Sequence, residues 1–364
     1  MPDEPNRPAY ARRTTIRSKL PADKGPSLSG RDARPCATWK TGCAAFLDQM
    51  AAAGAPDLRE SAFLETSASE DGRGLMGPVV KSVVLSNRVR LPYAEQGDPT
   101  GVPLVLLHGF ADSWRSFELV LAHLPESIHA FALTLRGHGD ASRPAAGYGL
   151  RDFAADLAAF QEAMHLRTAV IVGHSMGSAV GLRYAIDHPK RTKGLVLVGA
   201  SPTMEATAAA REFWDSIVSK LTDPIEPALV RGMTETALVQ PVPLAFLEAA
   251  VRESLKVPAV VWKAAFESRW RREGDYSDEL GKIKAPTLIV GGAQDAGYPR
   301  AAQEALASAI AGSQLLVYHD AGHLLHWEEP QRFAADLVTF VQGVLERGGA
   351  PSRTGTRAIG NETA

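Results

Sequence analysis

The chain has 364 residues, a formal net charge of −2 at pH 7 and 45% apolar residues. A charge this close to zero gives no electrostatic reason to expect nucleic acid or an anionic membrane as a partner. The two cysteines, Cys36 and Cys43, are too few for a disulfide scaffold or a cysteine-based zinc site, which favours a reduced, cytoplasmic protein. The length exceeds one average domain, but α/β folds often pass about 250 residues as a single unit, and the apolar content suffices for a large core.

The first 75 residues differ in character from the rest. They are rich in Pro, Arg, Ser, Gly and Ala and follow neither a helical nor a strand period, which predicts a flexible extension. A start codon assigned too early, with Met50 or Met76 as the true start, would produce the same pattern. Arg12-Arg13 is not followed by the apolar stretch of an export signal, and no apolar run in this region is long enough to span a bilayer.

From residue 79 onward, apolar runs of strand length alternate with stretches of helical periodicity. Val79–Leu85 and Val89–Glu95 predict two strands that open the fold as an antiparallel pair. Further strands are predicted at 103–107, 128–135, 195–198, 286–292 and 315–318, with one more beginning at Ala169, and helices near 113–124, 152–165 and 176–188. Alternation of this kind predicts βαβ units and a mostly parallel sheet.

Residues 201–284 break this alternation, because their pattern is mostly helical and is interrupted by prolines. Within this segment, Trp262, Phe266 and Trp270 recur at every fourth position and form one aromatic face of a helix. That face either packs the segment onto the rest of the fold or lines part of an apolar substrate pocket. The sequence leaves both interpretations open.

The most specific motif is Gly173-His174-Ser175-Met176-Gly177, which follows a β-branched run and precedes a predicted helix. A strand that turns into a helix within a few residues holds the central serine in a strained backbone with its hydroxyl exposed, as in the nucleophile elbow of serine hydrolases. Glycines at both ends avoid the clash that a Cβ atom would cause in so sharp a turn.

Three further motifs lie where such an enzyme needs them. His108-Gly109-Phe110 follows the apolar run at 103–107, Asp295 follows the strand at 286–292, and His323 follows the strand at 315–318. Ser175, Asp295 and His323 therefore occur in the order Ser…Asp…His. Each residue comes after a predicted parallel strand, at the edge where open α/β sheets gather their ligands.

These motifs, together with Arg136-Gly137-His138-Gly139, resemble the α/β-hydrolase superfamily, specifically its single-domain, esterase-like branch with a helical cap. The resemblance covers about residues 79–346. It implies a mostly parallel, eight-stranded α/β-hydrolase sheet flanked by helices. It also implies a core at 76–200 and 285–346 and a cap at 201–284. The composition of the two ends predicts the extension at 1–75 and a similar polar, disordered tail at 347–364.

The resemblance further implies roles for individual residues. Ser175 would be the nucleophile, His323 the general base and Asp295 the group that orients the imidazole. The backbone N–H groups of Phe110 and Met176 would form the oxyanion hole.

Some alternatives to these roles remain open. His326 competes with His323, and Asp320, Asp278 and Asp140 compete with Asp295. His108 and His174 are expected to be hydrogen-bonding scaffolds. The loop at 136–139 is interpreted as architecture, with a substrate contact as its alternative.

The predicted activity is hydrolysis of a carboxylic ester or lactone of a small apolar substrate, with Trp262 and Phe266 as candidate pocket residues. No metal, cofactor, nucleic acid or membrane is expected, because the chain carries no metal-binding cluster, phosphate loop or dinucleotide fingerprint. A hydrolase that cleaves carbon–carbon bonds in β-diketone-type substrates would use the same triad. A non-catalytic receptor on this scaffold is a further alternative. Haloalkane dehalogenases and epoxide hydrolases share the cap and the His-Gly-Phe loop, but they need an aspartate nucleophile, whereas this chain has Ser175 at that position.

Overall fold

The computed structural model of the chain describes residues 78–203, 208–269 and 275–349. The predicted extension at 1–75 lies outside these ranges together with Cys36 and Cys43, and so do Trp270 and residues 350–364 of the predicted tail. The predicted flexible extension, the predicted tail beyond residue 349 and the contribution of Trp270 to the aromatic face therefore stay predictions.

The core of the fold is an eight-stranded sheet in the order β1-β2-β4-β3-β5-β6-β7-β8. Its strands are β1 Val79–Val84, β2 Arg90–Gln96, β3 Val102–Leu107, β4 Ile128–Leu133, β5 Ala169–His174, β6 Thr192–Val198, β7 Thr287–Gly292 and β8 Gln314–Tyr318. β2 runs antiparallel to both of its neighbours, and the other pairings are parallel. The predicted mostly parallel sheet with an antiparallel opening pair is therefore confirmed.

Helices cover both faces of this sheet. They are α1 Glu118–Leu121, α2 Leu150–Ala163, α3 Met176–Asp187, α4 Ala208–Ser216, α5 Pro227–Thr236, α6 Leu244–Leu255, α7 Ala259–Glu267, α8 Arg300–Ala309, α9 Leu325–Glu328 and α10 Pro330–Gly349. The helix predicted near 113–124 is shorter than expected, since a 3₁₀ turn at Trp114–Phe117 precedes the single turn of α1. Helices α4 to α7 all lie between β6 and β7, and we refer to residues 201–284 as the helical segment.

The central strands are buried on both faces, which explains why they read as continuous apolar runs. Every residue of β4, β5 and β7 is buried. In β3, Val105 and Leu107 pack into the apolar cluster on one face, and Leu104 and Leu106 pack into the cluster on the other. Burial on both faces makes the sheet a rigid support for the loops at its edge.

The loop at 136–139 contributes to this support. The Arg136 guanidinium donates from Nε and Nη2 to the two carboxylate oxygens of Asp156, at 2.6 and 2.5 Å. Both residues are buried, and this bidentate pair ties the loop after β4 to helix α2. These contacts support the interpretation of the loop as architecture.

Because parallel strands end at the same edge of a sheet, the loops after β3, β5, β7 and β8 converge. Those loops carry the motifs singled out in the sequence. In the described part of the chain, no helix is both long enough and apolar enough to cross a membrane.

Candidate active site

Ser175 occupies a tight turn between β5 and α3. Its backbone has φ 51° and ψ −108°, a left-handed conformation that is costly for a residue with a Cβ atom. The Ser175 N–H donates to the carbonyl of Val198 at 2.8 Å, which helps to hold this conformation.

The flanking glycines are required for space. A Cβ atom on Gly173 would lie 2.2 Å from the carbonyl oxygen of Gly177, and one on Gly177 would lie 2.1 Å from that of Leu107. Distances this short are steric clashes with backbone atoms that cannot move aside. The helix therefore approaches the strand closely only because both positions lack a side chain.

Asp295 and His323 are hydrogen-bonded to each other. Nδ1 of His323 lies 2.8 Å from Oδ2 of Asp295. Oδ1 of the same carboxylate accepts the backbone N–H groups of Gly297 and Tyr298, each at 2.9 Å. The Asp295 side chain is almost fully buried, whereas 21% of the His323 side chain is exposed. One carboxylate oxygen is thus held by the loop, and the other orients an imidazole that remains accessible.

The rival aspartates lie elsewhere. Asp140 forms an ion pair with Lys256 at 2.8 Å, and Asp278 is exposed. Asp320 accepts a hydrogen bond from Gln240 through its backbone carbonyl. Within the described residues, the structure brings Asp295 to His323 and not these alternatives.

The rival histidine, His326, is fully buried and its Nε2 lies 3.1 Å from the hydroxyl of Ser116. Burial lowers the pKa of His326 to about 3, because the interior disfavours the charged imidazolium. A ring that stays neutral and packs between Phe117 and Phe333 is a core residue.

His108 and His174 act as hydrogen-bonding supports. Nε2 of His108 accepts the N–H of Leu135 at 3.0 Å, and Nε2 of His174 donates to the carbonyl of His323 at 3.0 Å. Burial lowers the pKa of both imidazoles well below the usual value. Both rings are therefore neutral and hold the motif loops together, as the sequence predicted.

The backbone N–H groups of Phe110 and Met176 have no acceptor among the described residues. The loop that carries Phe110 lies close to the nucleophile turn, since a Cβ atom on Gly109 would lie 3.5 Å from Cβ of Ser175. Ala111 holds a left-handed backbone with φ 56° directly after Phe110. Two backbone donors without an acceptor in the described residues, both close to Ser175, can donate hydrogen bonds to an oxyanion.

A cavity of about 390 Å³ opens above Ser175 and His323. Its apolar wall includes Phe110, Phe213, Ile217, Met233, Trp262 and Phe266. The rings of Trp262 and Phe266 both contact Phe110, with centroids 4.9 and 5.8 Å apart, and both side chains are buried. The two interpretations of this aromatic face therefore do not exclude each other, since the same rings pack the helical segment and line the cavity. Trp270 lies outside the described residues.

Two residues beside His323 were missed by the sequence analysis. Gly199, at the end of β6, has φ 57°, and a Cβ atom there would lie 2.8 Å from Cε1 and 2.9 Å from Nδ1 of His323. The Tyr298 ring stacks on the imidazole with centroids 5.3 Å apart and an angle of 11°. The sequence shows a glycine directly after a strand and a tyrosine three positions after Asp295. Only the folded chain shows that both lie against His323.

No group of three or more His, Cys, Asp or Glu side chains is arranged to hold a metal ion within the ranges that the structure describes. The polar groups at this site suit nucleophilic catalysis by a serine.

Comparisons with known proteins agree with this geometry. The sequence profile of the alpha/beta hydrolase family matches residues 104–336. A non-heme chloroperoxidase from Streptomyces lividans is 28% identical over 283 residues, which cover 72% of this chain and 99% of that protein. A 2-hydroxymuconate semialdehyde hydrolase from Pseudomonas sp. (strain CF600) is also 28% identical, over 72% of this chain and 94% of that protein.

Among solved structures, the esterase RhEst1 from Rhodococcus sp. ECU1013 is 28% identical, with a TM-score of 0.64 over 73% of this chain and 99% of that one. The family profile spans more than half of the chain, and the strand order, the tight turn at Ser175 and the motif loops fit it. The chain therefore belongs to the alpha/beta hydrolase family and is a hydrolase.

Proposed function

We propose that this protein is a serine esterase that cleaves a carboxylic ester or lactone of a small, largely apolar substrate through an acyl-enzyme intermediate. The observation that carries the proposal is the His323–Asp295 hydrogen bond of 2.8 Å beside the strained Ser175 turn, at the floor of an apolar cavity. Similarity to a protein named as an esterase, at 28% identity, supports the same activity.

In the first half of the reaction, Oγ of Ser175 attacks the carbonyl carbon of the ester. A serine hydroxyl is a weak nucleophile at neutral pH, so Nε2 of His323 takes its proton during the attack. Asp295 keeps the other ring nitrogen protonated and stabilises the imidazolium that forms. The ring then gives its proton to the leaving alcohol as the carbon–oxygen bond breaks.

The negative charge that develops on the carbonyl oxygen is received by the N–H groups of Phe110 and Met176. These donors are in place before the reaction, so no reorganisation is needed when the charge appears. Each such donor contributes roughly 2.7–4 kcal/mol to stabilisation of the transition state.

In the second half, a water molecule attacks the acyl-enzyme and gives a proton to Nε2 of His323. The tetrahedral intermediate collapses, the carboxylic acid product leaves, and the proton returns to Oγ of Ser175. No external oxidant, metal or cofactor takes part in these steps.

We assign the domains accordingly, with residues 76–200 and 285–346 as the catalytic body and 201–284 as a cap. The cap supplies most of the apolar wall of the cavity and excludes water from the developing charge. Within this proposal the enzyme acts in the cytoplasm, as the low cysteine content favours.

A fluorophosphonate probe tests the nucleophile. The wild-type protein should be labelled, and the Ser175→Ala variant should not. Ser201→Ala is the matched control, because Ser201 also lines the cavity but its hydroxyl donates to the carbonyl of Thr203. Labelling that persists in Ser175→Ala would contradict the assignment.

A substrate panel tests the reaction. Esters graded by acyl length should be hydrolysed by the wild type and not by Ser175→Ala, and an aryl β-diketone should be a poor substrate. The second candidate function is cleavage of carbon–carbon bonds, which the 28% identity to a 2-hydroxymuconate semialdehyde hydrolase favours. Faster turnover of the diketone than of any ester would favour the carbon–carbon hydrolase. If neither the esters nor the diketone are turned over, the non-catalytic receptor is favoured.

A further inference from the structure

The lining of the cavity includes polar residues, and one of them is a buried arginine. Arg269 follows helix α7 and is 6% exposed, yet its side chain lines the cavity. Its Nη2 donates to the hydroxyl of Tyr298 at 2.6 Å. Ser201 and Thr203 also line the cavity, and Ser201 shares a narrow crevice with Arg269 and Tyr298; we call Ser201, Arg269 and Tyr298 the polar end of the cavity.

This polar end adjoins the catalytic residues. Ser175, Arg269 and Tyr298 line one narrow crevice beneath the cavity. Burial raises the pKa of the Tyr298 phenol, while the charge of Arg269 and hydrogen bonds from Ser175 and Arg269 act in the opposite direction. The Tyr298 phenol is thus hydrogen-bonded both to Arg269 and to the hydroxyl of Ser175, and all three residues line the same cavity.

The chemistry of this end favours one class of ligand group. A guanidinium stays cationic at all working pH values and presents its donors in a planar fork that matches the two oxygens of a carboxylate. Arg269 is the one Lys or Arg among the described residues that line the cavity, and two acidic residues, Asp112 and Asp295, also line it. A single cation in these surroundings suits a monoanion better than a phosphate dianion.

We infer that Arg269 and Tyr298 form a carboxylate subsite, and that the substrate is an ester with a second, ionised carboxyl group a few bonds from the scissile carbonyl. This inference rests on the proposed esterase function. The carboxyl group belongs either to the acyl part, as in a monoester of a dicarboxylic acid, or to the alcohol part, as in an ester of a hydroxy acid.

Two pairs of substrates test the inference, and in each pair a neutral carboxamide replaces the carboxylate at nearly the same size. The acyl arm compares monomethyl glutarate with methyl glutaramate. The alcohol arm compares 3-acetoxybenzoate with 3-acetoxybenzamide. In at least one arm, kcat/KM of the wild type should be at least ~10-fold higher for the carboxylate, because a charge-assisted pair forms only with that member. The arm that shows the preference identifies the part of the ester that carries the charge.

Variants of Arg269 connect the preference to the subsite. Arg269→Met should reduce the ratio between carboxylate and carboxamide to less than ~3-fold, whatever its effect on the absolute turnover of either substrate. Arg269→Lys should give an intermediate ratio, because it keeps the charge but loses the fork. Arg183→Met is the comparison variant, since Arg183 is also buried, forms ion pairs with Asp187 and Glu279 and is not among the described residues that line the cavity, so it should lower stability without changing the ratio.

Calorimetry on the Ser175→Ala background gives the same comparison without turnover. The preferred carboxylate should bind at least ~10-fold more tightly than its carboxamide, and Arg269→Met should remove the difference. Equal turnover and equal binding within both pairs would overturn the subsite. A loss of stability in Arg269→Met with an unchanged ratio would also overturn it and assign Arg269 a structural role.

The two proposals fail in different ways. If the carboxamide esters are hydrolysed in a Ser175-dependent manner but no carboxylate is preferred, the esterase function stands and the subsite is wrong. If no ester of any kind is hydrolysed, the esterase function is wrong, and the binding comparison alone decides the subsite.

Discussion

The edge of the sheet and the helical segment face each other across the cavity, and they are built differently. The proposed catalytic residues follow parallel strands, and hydrogen bonds from backbone N–H groups hold them in place, as the N–H groups of Gly297 and Tyr298 hold the Asp295 carboxylate. The helical segment consists of helices of 9 to 12 residues and contributes packed side chains such as Phe213 and Trp262. The proposed reaction would thus depend on hydrogen-bond geometry that tolerates little displacement, and the proposed choice of substrate would depend on side chains that are exchanged more easily.

The two regions are nevertheless joined at defined points. The carbonyl of Ala237 accepts the N–H of His323 at 3.1 Å, the Trp262 ring contacts that of Phe110, and Arg269 donates to Tyr298. A displacement of the helical segment would therefore also move the residues that it contacts around Ser175, namely Phe110, Tyr298 and His323.

The largest effect is expected at His323. His323→Ala should lower kcat by at least ~10³-fold, because the proton carrier of the triad is lost. His326→Ala removes a buried ring three residues away, so it should lower the melting temperature but leave most of kcat. Steady-state kinetics on a short ester and thermal unfolding of the two variants check these expectations. A large loss of kcat in His326→Ala and a small one in His323→Ala would assign the general base to His326.

A smaller effect is expected at Gly199. Gly199→Ala places a methyl group against the His323 imidazole, and we expect kcat to fall by roughly 10- to 100-fold, as for other small misplacements of a catalytic group. Gly312→Ala is the matched control, since Gly312 also has a positive φ but no atom lies within 4 Å of the added methyl. Both variants should lose ~1–2 kcal/mol of stability from backbone strain. Equal kcat values in the two would show that Gly199 does not position the imidazole.

In the helical segment, Phe266→Leu should alter the ranking of esters by acyl length. We expect selectivity for the preferred acyl chain to change by ~10-fold, the amount that a few methylene-sized changes in an apolar pocket produce. Phe160→Leu is the matched control in the sheet core, because Phe160 is fully buried and packs against Tyr93 and Phe131. It should lower stability and leave the ranking unchanged. A ranking that is identical in both variants would make Phe266 a packing residue alone.

The smallest effect is expected from truncation. A protein that starts at Met76 should keep kcat, and its melting temperature should shift by less than ~2 °C, which corresponds to under ~1 kcal/mol for a domain of this size. A start at Asn87 is the contrasting variant, since it also removes β1, which pairs with β2 along its length, and it should destabilise the fold. A large loss in the protein that starts at Met76 would mean that the first 75 residues contribute to the folded body.

Local signals in the sequence predicted most of the arrangement of the proposed catalytic residues. The alternation of strands and helices predicted a mostly parallel sheet, and the sheet brings to one edge every residue that follows the end of a parallel strand. The position of Asp295 and His323 after their strands was therefore enough to predict that they meet. The need for glycine at positions 173 and 177 also followed from the sequence, because the sharpness of the predicted turn is a local property.

Other features are decided by the tertiary structure alone. Gly199 and Tyr298 reach His323, and Arg269 reaches Tyr298, through contacts between distant parts of the chain that leave no local pattern. Whether the N–H groups of Phe110 and Met176 have an acceptor depends on which parts of the chain lie beside them in the fold. None of the described residues provides one. The sequence by itself determined the fold and the order of the proposed catalytic residues, because periodicity and turn chemistry act over a few residues. The shape and charge of the cavity were decided by side-chain packing across long sequence separations.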